Sequence, residues 1–320
     1  MSVRIAVVIP YFQREAGILA KALRSVFAQI VVADLDIIVV DDASPVSARS
    51  ELAQLPPQQA ARVRLIEQAN AGPAAARNKA LDQVAPGTEY VAFLDSDDEW
   101  TEVHLANALH ALEAGHDFYF TDFYQLNQSV SAFARARRIT PSEHALLPGR
   151  SELHVYQGDM QDQVLSGNVI GTPTVVYRYA SFPRLRFREE FVYAGEDYLF
   201  WLDLSSQTRR IAFSSASECI CGAGVNIFSG SGWGTEKSLI RLHHEMKYKK
   251  AIARLFPLSE RQIEDNRRAV RTLRKSFVAD VLHRLMHGKP FREVLLKQWR
   301  IDARSALYFL PLAITILLRR

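Results

Sequence analysis

Tyr90-Val91-Ala92-Phe93-Leu94-Asp95-Ser96-Asp97-Asp98-Glu99-Trp100 is the stretch whose reading decides the fold. Its first five residues form an apolar run of strand length. The run ends directly on Asp95, Asp97 and Asp98. Three acids at the mouth of a buried strand repel one another unless a cation or a ligand's donors compensate. Carboxylate oxygens suit a hard divalent ion, and such ions commonly bridge carboxylates to substrate phosphates. The plainer alternative is an acidic turn that caps the following helix.

Outward from this stretch, short apolar runs alternate with helical patterns. Arg4–Pro10 (RIAVVIP), Asp36–Val40 (DIIVV) and Arg62–Glu67 (RVRLIE) read as strands. Ile18–Phe27 has helical spacing at Leu19, Leu23 and Val26, and Gly72-Pro73 opens a helix over Ala74–Val84. A helix near Glu102–Ala114 and strands at Asp117–Asp122 and Thr174–Arg178 follow, separated by a polar excursion over 125–165. Strand–helix alternation predicts an α/β domain with a parallel sheet. Ligands bind such sheets beyond the strands' carboxyl ends. Asp41-Asp42 and Asp95–Asp98 both lie there, so they are expected to share one crevice. Gly195-Glu196-Asp197 precedes a helical Tyr198–Leu204, and Cys221–Gly234 (CGAGVNIFSGSGWG) reads as a mobile loop. Beyond it the pattern is helical over 236–256, over 259–287 and in shorter pieces.

The 320 residues, 48% hydrophobic and 23% charged, describe an ordinary globular protein. We divide them into a domain over 1–235 and a basic helical region over 236–320. The net charge of +4 conceals an asymmetry: residues 261–320 hold 14 Lys/Arg against 5 Asp/Glu, which leaves about −5 for the first 260. A basic tail on an acidic body points to a polyanionic partner. Cys219 and Cys221, the only two cysteines, are too few for a disulfide framework and favour a reducing compartment. The chain opens directly on a strand pattern without the regions of a signal peptide, and no apolar run reaches membrane-spanning length.

Five pieces, VVIPYF, VVDDAS, NAGPAAARNKAL, YVAFLDSDDEW and GEDYLFWLDL, stand in the order and at the spacing of the family 2 inverting glycosyltransferases. The chain resembles that family over roughly residues 3–205. IAVVIPYFQRE and VNIFSGSGWGTE look most like its bacterial exopolysaccharide branch, and more narrowly like glucosyltransferases of succinoglycan assembly. The resemblance implies a GT-A fold, a Rossmann-like and mostly parallel sheet flanked by helices, here with a C-terminal helical extension. It implies a UDP-sugar donor, UDP-glucose favoured, and Mn²⁺ or Mg²⁺ as cofactor.

Carried over motif by motif, Pro10, Tyr11 and Phe12 would flank the nucleotide base, an aromatic ring stacking on it. Asp42 would accept the uracil N3–H, with Asp41 supporting the loop; both could instead cap the helix after Ser44. Arg77 and Asn78 would lie near base and diphosphate, although Arg77 could equally be a solvated helix charge. Asp97 would bind the metal, with Asp95 and Ser96 facing ribose or sugar hydroxyls and Asp95 close to the ion. Asp197 matches the catalytic base, with Glu196 orienting the site. Inversion is an in-line displacement, so one carboxylate must take the acceptor's proton. Asn226 and Trp233 belong to the glycine-rich loop, Trp233 as a lid over donor or acceptor or as an anchor of that loop. Many relatives carry a histidine just before the loop's Asn, but Gly222–Val225 holds none. His243 and His244 downstream are expected on the surface.

Ser305–Leu318 (SALYFLPLAITILL) lies between Arg304 and Arg319-Arg320. As a helix it would reach about 21 Å, short of a roughly 30 Å hydrocarbon core, and Pro311 would kink it. It reads as an interfacial segment at the cytoplasmic face of the plasma membrane, where a lipid-linked oligosaccharide would be the acceptor. The competing reading packs it on the body or on a second subunit, as in a homodimer. No nucleic-acid partner is expected, since the tail lacks aromatic interleaving. A nicotinamide-dependent oxidoreductase is disfavoured because the first strand carries no G-x-G-x-x-G turn. The remaining rival is a non-catalytic nucleotide-sugar or polyanion-binding protein.

Overall fold

The computed structural model describes residues 3–225 and 232–318. The chain divides into two compact units: Met1–Val192 with Phe200–Val225, and Tyr193–Leu199 with Asn226–Arg320.

Runs of β-branched residues set the first unit. The strands β1 (Arg4–Tyr11) and β2 (Asp34–Asp41) bury nearly every residue after their first turn into the sheet, the state in which a strand shows no polar alternation. Between them α1 (Ile18–Phe27) buries Leu19, Leu23 and Val26, one stripe at helical spacing. Two short helices, α2 (Ala48–Leu52) and α3 (Pro57–Ala60), lead to β3 (Val63–Glu67). Next come α4 (Pro73–Leu81), β4 (Tyr90–Phe93), β5 (Glu99–Trp100), α5 (His104–Glu113) and β6 (Phe118–Tyr124). The polar excursion forms α6 (Ala132–Ala136), β7 (Ala145–Leu146), β8 (Leu153–Val155) and α7 (Met160–Ser166). The unit closes with β9 (Val176–Tyr177), the part of α8 (Glu196–Gln207) from Phe200 onward, and β10 (Ile211–Ile220).

The strand order is β3–β2–β1–β4–β9–β6–β10–β8–β7, with β5 also on β10. The sheet is mixed rather than parallel throughout. β1 to β4 pair in parallel, as do β6 and β10, while β9 runs antiparallel between β4 and β6. The reversal comes at the antiparallel β7–β8 pair, after which α7 and a tight 3₁₀ turn at Thr172–Thr174 bring the chain back as β9 in the same direction as β8. β10 was not foreseen. Its Ser214-Ser215-Ala216-Ser217 centre hides the apolar signal, and the register slips there. Under the sheet, Phe187 stacks on Phe200 with ring centroids 4.2 Å apart, and Phe93 meets both edge-on.

In the second unit α9 (Ser238–Leu255), α10 (Glu260–Met286), α11 (Arg292–Ile301), α12 (Ala303–Leu307) and α13 (Phe309–Leu317) pack around Leu239, Leu242, Phe277 and Val281. Ser259 and Gln262 form a capping box that starts α10. His243 and His244 are not surface residues. His243 is buried on the Gln298 side chain at 2.8 Å, and the His244 ring lies 4.6 Å from that of Tyr193. Their i, i+1 placement turned one ring into the helix packing, which the charged sequence around them concealed. Among the described residues no helix is long and apolar enough to cross a membrane.

Asp302, 1% exposed, ties this unit together. It accepts from Lys250 at 2.7 Å, from Arg274 through two bonds at 2.7 and 2.9 Å, and from Ser305 at 2.5 Å. Burial works to raise its carboxyl, but the bonds from Arg274, Lys250 and Ser305 outweigh that and hold it below the usual carboxylate range. A carboxyl held below its unfolded value of about 3.9 stabilises the fold above that pH and loses the contribution as pH falls further. Asp302→Ala should cost about 3–5 kcal/mol at pH 7, because two cations lose their partner. The gap between variant and wild type in thermal melts should narrow below about pH 4.

Candidate active site

The carboxyl ends of β2 and β4 carry the acids. Asp41 accepts the backbone N–H of Ser44 at 2.8 Å and of Ala48 at 2.7 Å, which closes the turn into α2. Asp42 Oδ1 accepts from the Gln68 side chain and from Ala71 N, and Oδ2 accepts from Gly72 N, all at 2.8 Å. Asp42 is thus pinned where α4 begins, and Oδ2 keeps acceptor capacity beyond its one bond.

The second group of acids follows β4. Asp95 pairs with Arg77 Nη2 at 2.5 Å. Arg77 is therefore no solvated helix charge: it is 4% exposed, with its guanidinium 5.3 Å from the Phe187 ring centre. Asp97 and Asp98 lie deeper. Burial first, then the neighbouring Asp95, push the Asp97 carboxyl up to about 6. Asp98 is raised well above the usual range, again chiefly by burial. These are carboxylates held close together at a desolvation cost that a cation would relieve.

A strap of backbone crosses them. Leaving β10, the chain sends Gly222 N to Asp98 Oδ1 at 2.9 Å, Gly224 N to Asp97 Oδ2 at 3.0 Å, and Val225 N to Gln13 Oε1 at 3.1 Å. A Cβ on Gly222 would stand 1.6 Å from the Asp97 carbonyl oxygen, and one on Gly224 would stand 2.4 Å from Asp97 Oδ2. Only glycine permits that approach. Gln13, passed over in the sequence, is the hub beneath. It is buried, donates to Ser96 Oγ at 3.0 Å, and exchanges bonds with Ser44 at 2.7 and 2.9 Å. The VVDDAS turn, the turn after β1, the DSD turn and the strap are therefore one hydrogen-bonded assembly. The signals available in the sequence were the Gly222-x-Gly224 spacing and a lone Gln at a strand's end.

Other expected positions divide differently. Tyr11 is wholly buried in the core, which pushes its hydroxyl up to about 12, and Pro10 is buried in β1; Phe12 alone of the three is partly open. A ring open to a base would therefore be Phe12, because Tyr11 still belongs to β1, a strand buried on both faces. Asn78 spends its side chain on Phe187 N and O and on Glu189, all at 2.8 Å, as a clamp on that loop.

Glu196 and Asp197 belong to the second unit, at the start of α8, where both are partly exposed. Asp197 Oδ1 accepts Tyr198 N at 2.8 Å. Gly195 takes φ +94°, and a Cβ there would meet the Tyr248 ring at 2.5 Å, so the glycine sets where the two acids emerge. Trp233, also in the second unit, is 56% exposed and faces His283 at 5.9 Å between ring centres. Asn226 and the expected mobile segment over 226–231 lie outside the described residues.

For a metal, the donor set is carboxylate oxygen from Asp95, Asp97 and Asp98, and the buried, mutually repelling pair Asp97 and Asp98 fits a hard divalent ion that completes its shell with water and phosphate. Among the described residues no cluster of three or more His, Cys, Asp or Glu has the arrangement of a protein-only metal cage. Such an ion would share its ligands with substrate.

The fold and this edge of acids are those of a glycosyltransferase of the GT-A type. Residues 6–179 match the glycosyl transferase family 2 model, and the chain belongs to that family. It is 36% identical over 227 residues to the succinoglycan biosynthesis protein ExoW of Rhizobium meliloti, covering 70% of each chain. To the teichuronic acid biosynthesis glycosyltransferase TuaG of Bacillus subtilis, itself assigned provisionally, it is 27% identical over 221 residues, 66% of this chain and 77% of that one. Among solved structures, S. aureus TarS 1–349 in complex with UDP-GlcNAc superposes with a TM-score of 0.59 at 16% identity, over 95% of this chain and 80% of that one. The mannosyltransferase PcManGT from Pyrobaculum calidifontis, in complex with GDP-Man and Mn²⁺, gives 0.56 at 16% identity, over 97% and 88%.

The strap makes a direct prediction. Gly222→Ala collides with backbone, which cannot swing aside, so residues 221–225 should lose amide-exchange protection and the fold about 1–3 kcal/mol. Amide exchange and thermal denaturation check both; unchanged protection would mean the strap does not sit on Asp97.

Proposed function

We propose that the chain is a metal-dependent inverting hexosyltransferase that moves a sugar, glucose foremost, from a UDP-sugar to a lipid-linked oligosaccharide. It works with Mn²⁺ or Mg²⁺ in bacterial exopolysaccharide biosynthesis, at the cytoplasmic face of the membrane. The carrying observation is the hydrogen-bonded assembly in which Gln13 joins the turn after Asp41-Asp42, through Ser44, to the Asp95–Asp98 turn, through Ser96. Similarity to ExoW supports the exopolysaccharide assignment. The UDP-GlcNAc complex of TarS supports the nucleotide class, and the Mn²⁺ complex of PcManGT the ion.

In this reading Phe12 stacks on the base and Asp42 Oδ2 accepts its N–H. Asp95, steadied by Arg77, and Ser96 hold sugar hydroxyls, while Asp97 holds the ion. A divalent cation there would neutralise charge on the departing diphosphate. Asp197 takes the proton of the acceptor hydroxyl as that oxygen attacks the anomeric carbon, and Glu196 orients the acceptor. Trp233 covers the donor or acceptor. Alone or with a second copy, the chain needs no second carboxylate nucleophile, because a single displacement inverts the centre.

Asp197→Asn should lower kcat by about 10²–10⁴ while UDP affinity stays within about twofold, since the base acts on the acceptor and not on the nucleotide. Kinetics paired with UDP calorimetry separate the two. A variant with wild-type kcat would remove Asp197 from the mechanism; lost UDP binding would make it a donor ligand.

A further inference from the structure

Most acids of the helical unit are already committed. Asp280 is buried against Arg284, and Asp302 against Lys250 and Arg274. The cations left over gather on one side. A groove of about 500 Å³ is lined by Arg267, Arg271, Lys275 and Arg304, on a floor that includes Val270, Tyr308 and Leu312. Arg271 pairs with Glu264. Arg267, Lys275 and Arg304 are exposed and make no ion pair among the described residues. A second cavity, of about 300 Å³, shares Lys275 and Leu312 with the first and is lined by Trp233, Ala279 and Ile316. The two are the cationic and apolar halves of one trough between α10 and α13.

Beside the trough, α12 and α13 present an apolar ridge to solvent. Leu307 is 75% exposed, Leu310 67%, Ile314 50% and Leu317 52%. Their three- and four-residue spacing places them on one helical face. α13 has nine residues and reaches about 14 Å, less than half a hydrocarbon core. An exposed apolar ridge edged by unpaired cations is complementary to an anionic bilayer surface, where each feature loses its cost.

We propose that the α10–α13 trough seats the phosphate of an anionic phospholipid, with the ridge of Leu307, Leu310, Ile314 and Leu317 entering the acyl layer of the same leaflet. Arg267, Lys275 and Arg304 bind the headgroup; Trp233 and Leu312 line the passage from phosphate to acyl chain. The site deepens the membrane-surface part of the function proposed above and gives it residues.

The test is co-flotation of the full chain with vesicles of phosphatidylglycerol in phosphatidylcholine, against phosphatidylcholine alone. Wild type should prefer the anionic vesicles. The triple variant Arg267→Gln, Lys275→Gln, Arg304→Gln should lose about fivefold per charge, on the order of a hundredfold in total. An equal loss of charge elsewhere, in Lys21→Gln, Arg24→Gln, Arg209→Gln, should cost less than a tenth of that. Leu310→Ser with Ile314→Ser should weaken binding to both vesicle types and leave their ratio unchanged. Equal losses in the two triple variants would overturn the site in favour of diffuse charge. Absence of flotation with either vesicle, or displacement from the anionic ones by millimolar inorganic phosphate, would overturn the lipid. Turnover with a water-soluble acceptor reads the transferase separately, so failure here leaves that reading standing.

Discussion

Asp97 and Asp98 lie at the end of a strand with no exposed face, in a medium that screens like charges poorly. Asp97 rises to about 6 and Asp98 is raised well above the usual carboxylate range, both chiefly through burial. Two backbone N–H groups of the strap, and the Arg77 guanidinium on neighbouring Asp95, are what the protein brings against this charge. Each imposes something elsewhere. The strap needs Gly222 and Gly224. Arg77 needs the Phe187 ring, and that ring is held by Asn78. The acids therefore dictate a shell of residues that never touch a ligand in the proposed reaction.

The same logic explains how a family-level scaffold is kept while details shift. Gln13 occupies the turn after β1 and joins the DSD turn and the strap through its side-chain amide, while its backbone N–H and C=O hold Ser44. A side chain with a single polar atom could not both donate to Ser96 and accept from Val225. The strap contains no histidine, and backbone N–H groups occupy Asp97 and Asp98 instead. An N–H donor and a cation compete for the same carboxylate lone pairs. Gly224 N takes one acceptor site of Asp97 Oδ2, and the remaining lone pairs of that carboxylate stay available to a ligand.

Much of this was legible in the sequence because several levels agreed. The runs RIAVVIP, DIIVV and YVAFL read as buried strands and are β1, β2 and β4, and the acids after DIIVV and YVAFL stand at strand carboxyl ends. What escaped had physical reasons. β10 was hidden by its serines, and β9 runs against its neighbours because the chain had already reversed at the short β7–β8 pair inside the polar excursion. Tyr11 was placed at the base by motif position, yet it is still part of β1, which is buried on both faces, and its ring lies in the core. Asn78 looked like a ligand contact and is a loop clamp, since an amide can satisfy both N–H and C=O of one backbone residue. His243 looked exposed in a charged helix and pairs with Gln298 inside it. In each case the deciding partner lay far along the chain, beyond any local pattern.

The account stands on Asp97 as the place where ion and nucleotide meet. Calorimetric titration of UDP into the full chain, with Mn²⁺ and with EDTA, tests it most directly when repeated on Asp97→Ala. Binding that requires Mn²⁺ and falls at least tenfold in the variant is the predicted result. UDP binding of equal strength with EDTA, or in Asp97→Ala, would contradict the account and leave the acids of the DSD turn as a purely structural cap.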